Sequence, residues 1–573
     1  MQVHVAVESQ FIQKYLLAIP KLKAIASANG AHAGFYTVLY GTCPHCPSAG
    51  PFTGPAIELI LDLFKMEKKL LKGQSFEADA ADKLARGIIT CTGGHFEAVL
   101  EREDDAAALK TVIETLSPSA IPGLNVAVHC SAIDSTAPFA DFDRAVRQAL
   151  GKLKFAPPAA QASIPLRLPF GGVCAYTGQE IAEDEMEESR SDSEPPRKSP
   201  AGRRAKFMMS NSGAGGVAEA VDRLVYQREE GGAFKTPWSF EEFFPPKTLK
   251  RYLAVITVDG NRMGVGLKEY MKKKNRDGKG GFFEMALYPE AFFMRARILN
   301  RVAIVDAARK VLHNKYQSSK GPLPFKTLMI AGDDMLMVLR AEDVFDVLIE
   351  YAKRHRELLG DGVVAEPKYP THSESLHRWA GEFGPLTFKA GVAIVPLKYP
   401  FAAACALAEQ LADCARKEYS AVDWYVMHDA TVTDLPEIKR REFHRAWTVD
   451  GHKETLTLTK RPYPILSGSG TASLDDLLQR ARAVGSMAIE GRAKVARNKL
   501  KTLASAFGRG REEAEMLVQE IGKDVRAQLA PAWKPEGENE NPTAWFTEWI
   551  DLIELLDVTT PAAAPVNGKR HLA

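Results

Sequence analysis

The stretch Phe325-Lys-Thr-Leu-Met-Ile-Ala-Gly-Asp-Asp-Met-Leu-Met-Val-Leu-Arg340 sets two apolar runs around a glycine and two adjacent carboxylates, Asp333 and Asp334. That pattern predicts a β-hairpin with acid at its tip. Neighbouring carboxylates in such a place repel at neutral pH unless a cation lies between them. Upstream, Ala254-Val-Ile-Thr-Val-Asp-Gly-Asn-Arg-Met-Gly264 reads as a second strand ending in acid, at Asp259. If that strand lies beside the hairpin, three carboxylates form a hard-oxygen set suited to Mg2+ or Mn2+, and Gly260 can add its backbone carbonyl. Singly, each Asp is ordinary turn chemistry. Jointly they predict a site that binds nucleotide phosphates and favours in-line phosphoryl transfer.

The chain has 573 residues, enough for several domains with their own cores. It is 45% hydrophobic and 25% charged, as soluble proteins are. A net charge of +2 does not by itself argue for nucleic-acid binding; only a local patch could. Seven irregularly spaced cysteines argue against a disulfide framework and for a reducing compartment. The first residues lack the basic and apolar regions of a signal peptide. No apolar run reaches the ~18 residues a membrane span needs. The expected location is cytoplasmic.

The acidic hairpin has a counterpart near the N-terminus, Gly87-Ile-Ile-Thr-Cys-Thr-Gly-Gly-His-Phe-Glu-Ala-Val-Leu-Glu101. Each hairpin is followed by a helix with acid in its first turn, at Glu103 and Glu342, and then by another apolar strand. Each is also preceded by strand and helix. Two β-α-β-β-α-β units predict an α+β fold with two ferredoxin-like palms. His95 and Phe96 are expected in the places of Asp333 and Asp334, and Glu8 or Ser9 near the place of Asp259, so the first palm reads as degenerate. Residues 1–160 are assigned to it and 161–247 to a linker and insert, with 180–217 expected to be disordered. Residues 248–432 form the second palm, 433–466 a hairpin connection turning at Asp450-Gly451, 467–557 a C-terminal helical bundle, and 558–573 a disordered tail.

The Val258-Asp-Gly-Asn strand end, the Ala331-Gly-Asp-Asp hairpin and the run Phe388–Phe401 look like parts of one palm. Their order resembles the large palm-domain subunit of type III CRISPR effector complexes, the CRISPR polymerase/cyclase family, which is related to GGDEF diguanylate cyclases. The helix Ala404–Lys417 is similar to that family's Ala-Lys helix, with Ala415-Arg416 as the matching pair and Lys417 next. The resemblance implies a degenerate palm paired with a competent one, with nucleotides bound between them. It implies ATP as substrate, cyclic oligoadenylate as product, two Mg2+ or Mn2+ ions, and partners that include guide or target RNA and other effector subunits. Asp259, Asp333 and Asp334 are then catalytic and metal-binding, with Gly260 as a further ligand. Asn261, Gly332, Lys389, Arg416, Lys417, Gly93 and Gly94 are expected to bind nucleotide, and Lys398 is a further candidate for the triphosphate. The family's HD nuclease domain has no counterpart, so DNA cleavage is not expected.

Residues 491–511 carry Arg492, Lys494, Arg497 and Lys499 among other cations, with no acid between them. The segment reads either as an RNA-phosphate contact or as a solvated helix face. Gly172–Gly178 resembles the family's zinc insert but keeps one cysteine of the usual pair, Cys174. Cys43-Pro-His-Cys46 is a separate pair. A structural zinc needs four ligands, so zinc is not expected. Two other readings remain: a non-catalytic RNA- and protein-binding scaffold in such a complex, and a stand-alone signalling cyclase.

Overall fold

The computed structural model describes residues 2–10, 87–92, 95–134, 138–155, 184–188, 197–201, 217–228, 231–245, 251–275, 280–319, 321–359, 386–415, 418–427, 435–449, 452–467, 472–489, 497–521, 531–535 and 544–559, with positions 17, 19, 22, 25, 28, 84, 174–175, 182, 205–206, 208, 248 and 526. The fold is α+β. Residues 560–573 of the expected tail, residues 160–173, Cys43 and Cys46 lie outside the described residues, and 558–559 close the last helix rather than opening a tail.

The first unit contains β1 (Val3–Gln10), β2 (Ile88–Thr92), β3 (His95–Leu100), α1 (Glu103–Ala120), β4 (Asn125–Ala132) and α2 (Phe139–Phe155). Its strands lie in the order β2-β3-β1-β4. Alternation along β1 decides its two faces. Val3, Val5 and Val7 enter an apolar cluster with Ala106 and Ile113 of α1. His4 and Ala6 turn to α2, where Ala6 packs on Val146 and Leu150.

In the insert, β5 (Asp184–Glu188) and β6 (Arg197–Ala201) pair antiparallel. Over 184–188 and 197–201 this differs from the expected disorder; most of the rest of 180–217 lies outside the described residues. Register sets Glu187 opposite Lys198 and Glu188 opposite Arg197. Cys174 is buried in an apolar cluster with Ile121, Leu124 and Met208. The insert's last helix, α3 (Val217–Tyr226), belongs to the second unit. Asp222 is buried and pairs with buried Lys326 at 2.9 Å, and the Tyr226 hydroxyl donates to the Phe325 carbonyl at 2.6 Å. The second unit therefore begins near 217 rather than at 248.

That unit continues with β7 (Tyr252–Gly260), α4 (Met263–Lys274), α5 (Phe282–Met285), α6 (Leu287–Ala308), β8 (Phe325–Ala331), β9 (Asp334–Arg340), α7 (Val344–Leu358), β10 (Phe388–Pro396), α8 (Phe401–Cys414) and β11 (Ala421–Val426). Its sheet has the order β14-β11-β10-β7-β9-β8, with β14 at Tyr463–Pro464. With β7 to β10 in the places of β1 to β4, the four-strand cores of both sheets share one order. β11 is buried throughout and β10 nearly so, as strands covered on both faces are. A Cβ added at Gly391 of β10 would stand 1.9 Å from the Ala408 carbonyl oxygen and 2.3 Å from the Ala412 nitrogen. Only glycine lets α8 lie this close to the strand. Between the units, Phe282 of α5 meets the rings of His4 and Phe142 edge-on, and the Thr90 hydroxyl donates to Glu290 at 2.7 Å.

The C-terminal part contains α9 (Leu435–Phe443), β12 (His444–Val449), β13 (His452–Thr457), α10 (Leu474–Ile489), α11 (Arg497–Phe507), α12 (Arg511–Gln519), β15 (Lys534–Pro535), β16 (Ala544–Phe546) and α13 (Trp549–Thr559). The hairpin turns between Val449 and His452 as the sequence predicts. Ser473 caps α10: its hydroxyl accepts from the Asp476 amide while the Asp476 carboxylate accepts from the Ser473 amide. The expected all-helical bundle needs correction, because β16 pairs parallel to β13 in a sheet of order β12-β13-β16-β15. The hairpin's open edge needs backbone partners, and the Ala544-Trp-Phe546 segment supplies them. No described helix is long and apolar enough to cross a membrane.

Arg461 fastens this part to the second sheet. Its guanidinium lies between the rings of Trp424 and Phe443, with centroids at 4.7 and 4.6 Å. It contacts Asp551 at 2.9 Å and Glu554 at 3.1 Å and donates to the Trp424 carbonyl at 2.7 Å. Burial opposes its charge, but Glu554 and Asp551 outweigh it and raise its pKa. Arg461→Met would leave Asp551 buried without its cation, at an expected cost of about 3–5 kcal/mol. Denaturant unfolding followed by tryptophan fluorescence checks this, and an unchanged midpoint would refute the role.

Candidate functional site

Three adjacent ladders build the site. Asp259 is near the end of β7, Asp333 lies in the β8–β9 turn, and Asp334 opens β9. Ala331 pairs with Asp334, leaving Gly332 and Asp333 as a two-residue loop. Gly332 has φ +64°, a conformation that favours glycine. One oxygen from each of the three carboxylates lies within 4.8 Å of the others. The predicted convergence of a strand end with the acidic hairpin is thus present.

Crowding is visible in the electrostatics. Burial, then the charge of Asp259, raises the Asp333 pKa to about 6, against an opposing backbone hydrogen bond. Burial and the charges of Asp333 and Asp259 push Asp334 well above the usual carboxylate range. A divalent cation relieves such repulsion, and an all-carboxylate donor set suits Mg2+ or Mn2+.

Neighbours fix the frame. A Cβ at Gly260 would stand 2.7 Å from Met263 Cγ and 2.9 Å from both Asp333 Cβ and Oδ2, so this glycine admits Asp333 to the site. The buried Asn261 amide nitrogen donates to Thr387 Oγ1 at 3.0 Å, tying the loop after β7 to the start of β10. Asn300 of α6 donates to the Gly332 carbonyl at 3.3 Å, and the Tyr351 hydroxyl of α7 donates to Asn300 at 2.8 Å. Lys389 is 5% exposed. Its ammonium lies 2.8 Å from Asp259 Oδ2 and 2.6 Å from Asp413 Oδ1. Burial works against that charge, but the two carboxylates outweigh it and hold the Lys389 pKa above the usual lysine value. Thr387, Asn300, Tyr351 and Asp413 carry no motif that would have marked them in the sequence.

Other expected residues fall elsewhere. Lys398 follows the far end of β10 and pairs with Glu241 at 2.7 Å, at the opposite end of β7 from Asp259. Arg416, Lys417, Gly93, Gly94, Arg492 and Lys494 lie outside the described residues. Arg497 and Lys499 are in the first turn of α11. Farther along that basic stretch, Arg509 pairs with Glu513 at 2.9 Å and Arg511 with Glu454 at 3.5 Å. In the first unit, Glu8 pairs with His95 and Thr92 with His95. The second unit pairs Val258 with Met335, which sets Asp259 beside Asp334. The ladders therefore put Glu8 and His95 in the places of Asp259 and Asp334. The sequence expectation of His95 and Phe96 is off by one residue, and Phe96 is a buried core side chain. His95 bonds Glu97, which His4 also contacts at 3.0 Å.

Raised carboxyl pKa values fix the sign of a pH effect in metal-free protein. Their stabilising contribution is full below the unfolded value of 3.8 and is lost as pH rises through about 6 for Asp333 and about 8 for Asp334. The thermal midpoint should therefore fall over that range, Mn2+ should restore it, and Asp333→Asn should flatten the slope. Gly260→Ala should displace Asp333 and weaken Mn2+ binding, read by calorimetric titration; unchanged binding would refute the packing account.

No protein-family model and no curated protein matches the chain. Among solved structures, a Csm1–Csm4 cassette in complex with cA4 matches at a TM-score of 0.43 and 12% identity, over 97% of this chain and 70% of that one. A Csm1–Csm4 cassette in complex with pppApA matches at 0.43 and 12%, over 98% and 69%. Csm1 in T. onnurineus matches at 0.41 and 13%, over 97% and 69%. Over most of its length the chain is similar to Csm1 of type III-A CRISPR-Csm complexes.

Proposed function

We propose that this chain is a nucleotidyltransferase that joins and cyclises ATP into cyclic oligoadenylate, as a subunit of an RNA-guided antiviral effector complex. The observation that carries the reading is the convergence of the Asp259, Asp333 and Asp334 oxygens within 4.8 Å at the ends of adjacent strands. No core requires three facing carboxylates, which cost stability when ionised. These residues would hold Mg2+ or Mn2+, with Gly260 as a further oxygen donor, and the bound ions would supply charge neutralisation for a triphosphate.

The chain's own residues account for orientation. α4 begins two residues after the acidic strand without a side-chain cap; the Val265 and Gly266 amides donate to the Arg262 carbonyl, and those of Met263 and Gly264 would face a phosphate oxygen. At Gly264 an added Cβ would meet nothing within 4 Å, which leaves room for a ligand beside the helix start. Asn261 and Gly332 shape the rim of the same site. Arg416 and Lys417 would add cations that pair with phosphate. The choice of adenine and the cyclic product rest on the motif resemblance. The first unit has Glu8 and His95 where the second has Asp259 and Asp334, so it would contact nucleotide through Gly93 and Gly94 and hold no ions. RNA contact is assigned to Arg492, Lys494, Arg497 and Lys499.

Labelled ATP and Mn2+ test the reading directly. Asp333→Asn with Asp334→Asn should abolish oligoadenylate formation while leaving the protein folded, since the hairpin tip contributes little to the core. Turnover that survives in the folded double variant would overturn the mechanism. Inactivity of the unsubstituted protein in its assembled complex would favour the scaffold reading.

A further inference from the structure

Lys389 and Gly391 are two residues apart on β10 and so lie on one face of the strand. α8 presses onto Gly391 through Ala408 and Ala412. The next helix residue, Asp413, is thereby set beside Lys389, 2.6 Å from its ammonium. On its other side the ammonium reaches Asp259, its cross-strand neighbour, at 2.8 Å. One buried cation is thus divided between a carboxylate of the acidic site and a carboxylate outside it. The Asp413 side chain is 66% exposed, so packing does not explain its place. An ammonium has three donors and no acceptor, and near burial leaves it few partners besides these acids.

Given the metal reading proposed above, we infer that Asp413 is a positioning residue that sets the divalent-ion affinity of the acidic site by sharing the Lys389 ammonium with Asp259. Lys389 holds Asp259 Oδ2, which fixes the rotamer and leaves the other oxygen for the hairpin side. Asp413 draws off part of the lysine's charge. Without Asp413 that charge falls wholly on Asp259 and competes with an incoming cation. The two acids are thus coupled through one lysine, and the end of α8 is electrostatically joined to the metal ligands. Lys389 is accordingly an internal counter-ion rather than a contact for the triphosphate.

The test is a double-substitution cycle on Mn2+ affinity in nucleotide-free, full-length protein, measured from free Mn2+ by electron paramagnetic resonance. Asp413→Asn should weaken Mn2+ binding on the order of tenfold, as loss of a residue that orients a ligand does. Asp413→Glu should restore most of it. In a Lys389→Met background, the Asp413→Asn change should have no further effect, because the lysine that transmits it is gone. Lys389→Gln serves the same purpose if the Met variant does not fold. Binding that needs Asp333 but ignores Asp413→Asn overturns the inference and leaves the metal reading intact. An equal fall in both backgrounds overturns it too, because Asp413 would then act without Lys389. If the unsubstituted protein binds no Mn2+ at Asp333, the metal reading and the inference fall together.

Discussion

Mutual repulsion among three carboxylates is the constraint around which the second unit is built. Ionised oxygens within 4.8 Å of one another separate unless the backbone holds them. Here the backbone is a ladder of antiparallel strands. β7 lies between β9 and β10 and is paired along its length with both. Asp259 therefore cannot move away without breaking strand pairing. Asn261 and Asn300 brace the adjoining loops from opposite sides, and Lys389 supplies a cation from within the protein. A site that would fly apart in solution is kept poised, which is the condition under which an ion gains most by binding.

Much of this was legible from residue pattern. Alternating and continuous apolar runs located β7, β8, β9 and β10, and the Gly-Asp turn located the hairpin tip. The acid set follows because strand ends and turn tips are local features. What the sequence withheld is non-local. Lys389 reads as a cation for nucleotide phosphate, since nothing in Phe-Lys-Ala-Gly shows that Asp413 and Asp259 enclose it. Nor does α3 announce that Asp222 pairs with Lys326, more than a hundred residues later. The strand at Ala544–Phe546 was too short to show a period, and its partner hairpin decided its state.

The two units compare most usefully by ladder register. Both four-strand cores have one order, and the hairpins have loops of equal length. The counterpart of Asp334 is His95, which is engaged with Glu97, itself bonded to His4. Where the second unit gathers charges of one sign, the first alternates histidine and glutamate, which satisfy each other. The same scaffold thus supports a cluster of like charges in one copy and paired histidine and glutamate in the other. Apolar alternation, common to both, is indifferent to which residues occupy the strand ends.

The Arg461 clasp bears on the order in which the chain becomes complete. Its partners Asp551 and Glu554 come some ninety residues after it, and Tyr463 and Thr459 bond the same Asp551. During synthesis, Arg461 emerges well before any of these acids. Until then Arg461, set between two aromatic rings at the edge of the second sheet, lacks both carboxylates that contact its guanidinium. The acidic site, formed by strands already made, is thus built on a sheet whose last edge closes only when residues near 551 arrive. A nascent chain can thus hold the acidic strands before the far edge of their sheet has its closing partners, and such an open edge is the kind of surface a chaperone engages.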